Sequence, residues 1–188
     1  MDKNCLYGPI GAFVDKFGKG HLYGRILQSH KDGTHVVTLG EFVDVPTKVN
    51  TFDCQCIIMH SSLIEKYHLR FDENLLFDLY VEDFCIHAFE KYQIASKVLQ
   101  VNCQHWSRGV LQKRFFEKHA YLQDKYKGSR YAYISTACSK KCIGGTFYFH
   151  LLHALRRFLY SEKTDRDGYK RIKIFKVQIP FLKIKKMR

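Results

Sequence analysis

Proline is scarce in this chain, tryptophan almost missing, and no apolar run is long enough to cross a bilayer. Three prolines and one tryptophan stand among 188 residues, so neither a proline-rich linker nor a low-complexity segment is expected. No stretch of eighteen residues is continuously apolar, which predicts no spanning helix. The seven cysteines (Cys5, Cys54, Cys56, Cys85, Cys103, Cys138 and Cys142) form no C-x-x-C and no zinc-ribbon spacing. Their odd number, with no signal-peptide pattern at Met1-Asp2-Lys3-Asn4, predicts reduced thiols in a cytosol. Most of them read as small core hydrophobes. Tyr7-Gly8-Pro9-Ile10-Gly11 lacks the G-x-G-x-x-G spacing and a P-loop lysine, so it is not a phosphate cradle.

What is present is a globular composition, sized for one domain or one domain with an appendage. The formal net charge is +13, and it is unevenly placed. Residues 1–139 hold 17 Lys/Arg against 15 Asp/Glu, whereas residues 140–188 hold 14 against 3. The basicity belongs to the C-terminal quarter, which predicts an appendage that meets something anionic. Away from that tail the chain is nearly neutral and has no aromatic RNA-binding motif, so no nucleic-acid partner is expected.

Residues 1–50 read as strands and loops. Lys31-Asp32-Gly33 makes a hairpin turn between Arg25–Gln28 and His35–Leu39, and Pro46 keeps Val43–Val49 off a central strand position. The apolar run Asp53–His60 suits a buried strand. Ser62–Glu65 has capping-box form and should open a short helix ending near His68. Leu69–Phe77 is loop or extended chain. Val81, Phe84, Cys85, Ala88 and Phe89 recur at helical spacing, so a helix is expected over Val81–Tyr92. Ile94–Val101 is the next strand and Asn102–Gly109 a loop. Val110–Lys127 follows as a charged helix with Leu111, Phe115 and Leu122 inward, stopped at Gly128.

Chemistry concentrates in Leu69–Ala88, LRFDENLLFDLYVEDFCIHA. It carries five of the eighteen acids: Asp72, Glu73, Asp78, Glu82 and Asp83. Glu82 and Asp83 fall in the first turn of the expected helix, where the dipole favours negative charge and where they would face a cleft. A carboxylate there can take a proton from an attacking hydroxyl. His105 could help hold a divalent metal that neutralises a leaving anion. Each residue also has an ordinary reading. Acids at a helix start are common caps, Asp72-Glu73 suits a turn, and a histidine beside a tryptophan is often structural. Only the combination points to a site.

That combination has a family likeness. The ordered set Val49-x-Thr51-Phe52-Asp53, LRFDE (Leu69–Glu73), FDLYVEDFCIHA (Phe77–Ala88) and QHWSRG (Gln104–Gly109) resembles GT-A-type glycosyltransferases of family two. Within them it looks most like the streptomycin-biosynthesis-type glycosyltransferase-like domain. The likeness covers about Tyr7 to Gly128. It implies an α/β fold with a partial GT-A-like mixed sheet and flanking helices over residues 1–128. An amphipathic helix and basic tail would occupy residues 129–188. It further implies Asp83 as general base with Glu82 beside it, and His105 as a ligand for Mn²⁺ or Mg²⁺. Asp53, Tyr80 and Trp106 would contact the acceptor, with a core position as the alternative for Trp106. The donor would be a nucleotide sugar and the acceptor a glycan or lipid-linked sugar, in bacterial surface-polysaccharide synthesis, with inversion. The family's D-x-D motif is missing from residues 1–60. Its one spelling here, Asp165-Arg166-Asp167, reads as a loop in the tail. The chain therefore resembles the acceptor-side half of such an enzyme. The alternative is a catalytically inactive half-domain that binds an acceptor glycan or a partner glycosyltransferase. A donor-binding partner chain, or a second copy of this one, would complete the cleft.

In the tail, Thr146–Tyr160 places Tyr148, Leu151, Leu152, Leu155, Phe158 and Leu159 on one helical face, opposite His150, His153, Arg156 and Arg157. It is too short and too charged to span a bilayer. It suits a helix lying on a membrane surface, with packing on the main domain or a dimer partner as the alternative. RIKIFKVQIPFLKIKKMR reads as a strand, a break at Pro180 and an extended end, or as a solvated end. Arg156, Arg157, Lys183, Lys185 and Lys186 are candidate contacts to anionic headgroups or a partner. The expected location is cytoplasmic, peripheral on the inner face of the plasma membrane.

Overall fold

The computed structural model describes residues 1–29, 36–106, 111–137, 141–164, 169–174, 177–178 and 184–185. In chain order the elements are β1 (Cys5–Gly8), β2 (Gly11–Val14), β3 (Gly20–Tyr23), β4 (Ile26–Ser29), β5 (Val36–Leu39), β6 (Thr47–Val49) and β7 (Thr51–Phe52). Then come α1 (Ser61–Tyr67), α2 (Tyr80–Tyr92), β8 (Ala95–Val98), β9 (Gln104–Trp106), α3 (Lys113–Lys125), β10 (Ala132–Ile134) and β11 (Cys142–Gly144). The last are α4 (Phe147–Leu159), β12 (Tyr160–Thr164), β13 (Tyr169–Ile174), β14 (Val177–Gln178) and β15 (Ile184–Lys185). The protein is mixed α/β, with small mixed sheets and four helices among the described residues. None of those helices is long and apolar enough to cross a membrane. Two compact units result: Met1–Asp15 with Gly20–Thr146, and Lys16–Lys19 with Phe147–Arg188.

Among the described residues, the first unit holds three small sheets and the antiparallel pair β10–β11. In one sheet β8 is central, with β1 parallel to it (Cys5 opposite Ala95) and β6 antiparallel. The second has the order β3-β2-β7, all antiparallel. The third joins the expected hairpin β4–β5, Ile26 opposite Leu39, to a parallel β9. The hairpin's turn at Lys31-Asp32-Gly33 lies outside the described residues. Two glycines permit the backbone crossing beside these sheets. Gly24 and Gly40 have φ of +88° and +78°, and a Cβ on Gly40 would sit 1.9 Å from the Gly24 carbonyl oxygen. Only glycine fits both the dihedral and the approach.

Helix α2 is the unit's central beam because it is apolar on two sides. Val81, Phe84, Cys85 and Ala88 pack with Leu6, Val49, Phe52, Leu63 and Val98. Ile86 faces the other way, into Leu75, Phe115, Leu122, Tyr133 and Ile143. Each such large side chain contributes about 1.5–3 kcal/mol on burial, so the helix is held from both flanks. It ends where Gln93 turns left-handed (φ 58°) and donates its N–H to the Phe89 carbonyl. That bond satisfies a carbonyl otherwise left open at the helix end.

Four local expectations are corrected. Residues 53–60 are not a strand. Only Ile58 pairs, through an isolated bridge to Tyr7, because the Asp53 carboxylate takes the Cys54 N–H at 3.0 Å and so offers the backbone an alternative to a ladder. Helix α1 starts at Ser61 without the Ser62–Glu65 box, since the His60 ring accepts from the Ser62 N–H. His105 sits in strand β9 rather than in a loop, because pairing with β4 sets Gln28 opposite it. In α3, Phe115 and Leu122 are buried as expected, while Leu111 precedes the helix and is exposed.

Candidate functional site

Glu82 and Asp83 open α2 as expected, but they do not line an open cleft. They are 3% and 2% exposed, because cores on both flanks of α2 draw even its first turn inside. The helix begins straight after Leu79, whose left-handed backbone (φ 64°) brings no side-chain cap.

Asp83 is held by α3. Its Oδ1 accepts from the Tyr126 hydroxyl at 2.7 Å and from Lys125 Nζ at 2.8 Å. Lys125 also reaches Asp72 Oδ2 at 2.6 Å, and the Tyr121 hydroxyl donates to that same oxygen at 2.8 Å. Further along, Lys118 Nζ donates to the Asn74 carbonyl at 2.6 Å and Arg114 pairs with Asp78. Arg114, Lys118, Tyr121 and Lys125 recur at helical spacing, so α3 fastens the acidic loop along one stripe. Burial acts to raise the Asp72 carboxyl, yet the hydrogen bonds from Lys125, Tyr121 and Asn74 win and hold it well below the usual range. Burial, then the Asp83 charge, pushes the Tyr126 phenol far upward, so it stays a donor. Burial opposes the charge on Lys125, but its bonds to Asp72 and Asp83 raise its pKa. The Asp83 carboxylate is thus already matched by a cation and a phenol.

Glu82 belongs to a different set. Burial, then the negative charge of Asp53, pushes its carboxyl up to about 8, with Asp78 adding to the effect. Asp53 is half-buried and accepts from Gln55 Nε2 at 2.9 Å. The same amide nitrogen lies 3.0 Å from His105 Nδ1. An amide has two N–H groups, so it donates to both, leaving the His105 ring proton on Nε2. Burial, then Asp53 and Glu82, pushes the Cys54 thiol up to about 12, so it stays protonated. The half-buried Tyr80 phenol is raised by burial, then by Cys54, Glu82 and Asp53, and its ring meets Phe71 edge-on at 5.3 Å. Trp106 is 59% exposed, which rules out its core alternative and leaves the indole open.

The fold thus gathers Asp53, Glu82, His105 and Tyr80 into one neighbourhood and commits Asp83 to another. Among the described residues no group of three or more His, Cys, Asp or Glu side chains could hold a metal ion. His105 Nδ1 faces an amide rather than a carboxylate. Arg156 is half-buried in α4, whereas Lys183 and Lys186, with the side chains of Arg157 and Lys185, lie outside the described residues. The Asp165-Arg166-Asp167 spelling lies outside them too. Gln55, Lys125 and Tyr126 were not singled out by the sequence. The stripe spacing of α3 was a signal for Lys125, but nothing in the sequence links Gln55 to a histidine fifty positions away. A separate cavity of about 520 Å³ opens beside β4 and β9, with Arg25, Phe42, Gln100, Cys103 and Gln104 in its wall. Comparison with protein-family models, with curated proteins and with solved structures found no match to this chain.

Proposed function

We propose that the first unit is a glycosyltransferase module, a partial GT-A arrangement in which α2 is the acceptor-side helix. It would move a sugar from a nucleotide-sugar donor to a glycan or lipid-linked acceptor. The observation that carries this reading is the unequal carboxyl pair. Glu82 is buried with a pKa of about 8, raised by burial and by Asp53, while Asp53 is half-buried and ordered by Gln55. A buried carboxyl that keeps its proton beside a second, more accessible carboxyl suits a division of acid and base roles.

In the proposed step the acceptor hydroxyl oxygen forms a bond to the sugar's anomeric carbon. The bond from that carbon to the diphosphate oxygen breaks, and the diphosphate leaves with the electron pair. Asp53 takes the hydroxyl proton. Glu82, neutral at pH 7, keeps the site at a single negative charge, which would otherwise repel the departing diphosphate. His105 acts through Gln55 to orient Asp53, and Trp106 offers a flat apolar face to a sugar ring. Asp83 takes an anchoring role through Lys125 and Tyr126 in place of the base role implied by the resemblance.

The test is transfer or donor hydrolysis by the whole chain with a panel of nucleotide sugars, with and without Mn²⁺ or Mg²⁺. Asp53→Asn should lower the rate by about 10²-fold or more, as loss of a general base does, with unchanged circular dichroism. Absence of turnover with every donor, or an Asp53→Asn enzyme as fast as the original, would overturn the proposal. Glycan binding without turnover would move the reading to a glycan-binding half-domain.

A further inference from the structure

Helix α4 leaves most of its large apolar side chains outward. Phe149, His153 and Arg156 are half-buried, whereas Phe147, Tyr148, Leu151, Leu152, Leu155, Phe158 and Leu159 are exposed. At about 100° per residue, the half-buried three centre on one side of the helix and the exposed apolar seven on the opposite side. The inward side is engaged within the second unit. The His153 ring packs so closely against the Lys16–Lys19 segment that a Cβ on Gly18 would lie 2.9 Å from it. The Phe149 ring lies 6.0 Å from that of His153. Water-facing helices of folded domains show the reverse arrangement, and contiguous exposed apolar surface of this kind marks an interaction site.

Charge says what meets it. Residues 147–188 carry 12 Lys/Arg against 3 Asp/Glu. A second copy of this segment would bring the same net positive charge, which disfavours self-association. The helix spans 13 residues, about 20 Å, and holds Arg156 and Arg157, so it suits lying in a bilayer's interface rather than crossing it.

We infer that the outward apolar face of α4 docks this chain on an anionic lipid bilayer, with the basic residues of the second unit neutralising headgroups. The test is flotation of the whole chain with phosphatidylcholine vesicles, with and without about 30% phosphatidylserine, each near surface cation strengthening attraction several-fold. Binding should be at least about 10-fold stronger on the anionic vesicles and should fall in high salt, as screening shortens the reach of the charges. Leu151→Glu with Leu155→Glu should lower it by about 10-fold or more, because buried apolar area drives insertion. Both side chains are exposed, so the circular dichroism should not change. Leu151→Ser with Leu155→Ser gives the same reading if the glutamates disturb the unit. Equal binding to neutral vesicles, or undiminished binding by both double variants, would overturn the inference. So would an oligomer that these variants dissolve, or capture of an acidic protein in place of vesicles.

Discussion

Replacing Glu82 with glutamine should make the protein more stable at alkaline pH while leaving its stability near pH 4 almost unchanged. The carboxyl is buried, and burial together with Asp53 moves its pKa from 4.5 to about 8. A folded-state pKa above the unfolded one means the native chain holds the proton more tightly. The stability this gives is fully present below pH 4.5 and is lost as pH rises through about 8. Each pH decade between those values costs about 1.4 kcal/mol, so by pH 9 the ionised group costs the fold about 5 kcal/mol. Glutamine keeps the shape and never ionises. Urea unfolding of both proteins at pH 4, 7 and 9 measures the difference. With a slope near 2 kcal/mol per molar, the Glu82→Gln midpoint at pH 9 should lie about 2.5 M above that of the original protein. Asp53→Asn, by removing the nearby negative charge, should shrink the gap. Parallel pH profiles, or a Glu82→Gln protein less stable at pH 9, would refute the reasoning.

Lys125→Met should cost about 2–4 kcal/mol, because Asp83 and Asp72 lose their shared cation while Asp83 stays buried; adding Asp83→Asn should restore part of that in urea unfolding. Gly40→Ala should cost more than about 2 kcal/mol, since φ is +78° and the new methyl would meet the Gly24 carbonyl; an unchanged thermal midpoint would contradict it. Native-state alkylation should label exposed Cys56 first and leave Cys5 and Cys85 for the unfolded chain. Cys85 is buried, and burial pushes its thiol up to about 12. Mass spectrometry of the labelled peptides distinguishes these outcomes.

Much of the first unit's local structure was legible because it is written at short range. The helical spacing of Val81, Phe84, Cys85 and Ala88 predicts α2, which begins within one residue of the expected start. The stretch Arg25–Leu39 predicts the hairpin β4–β5. Where a side chain competes with the backbone, short-range reading fails. Asp53 and His60 each take an N–H that a ladder or a Ser62 cap would have used. His105 became a strand residue because β4 lay alongside, and that partner is distant in sequence.

By itself the sequence determined where the acids cluster, which residues open α2, and that the basic charge collects in the last quarter of the chain. Those are properties of composition and of periods of two and 3.6 residues. Only the tertiary structure decided what neighbouring carboxyls would meet. Glu82 and Asp83 are adjacent, and successive residues on a helix point about 100° apart. One therefore turns toward Asp53, and burial beside a negative charge leaves it protonated at neutral pH. The other turns toward α3, where Lys125 and Tyr126 take its oxygens.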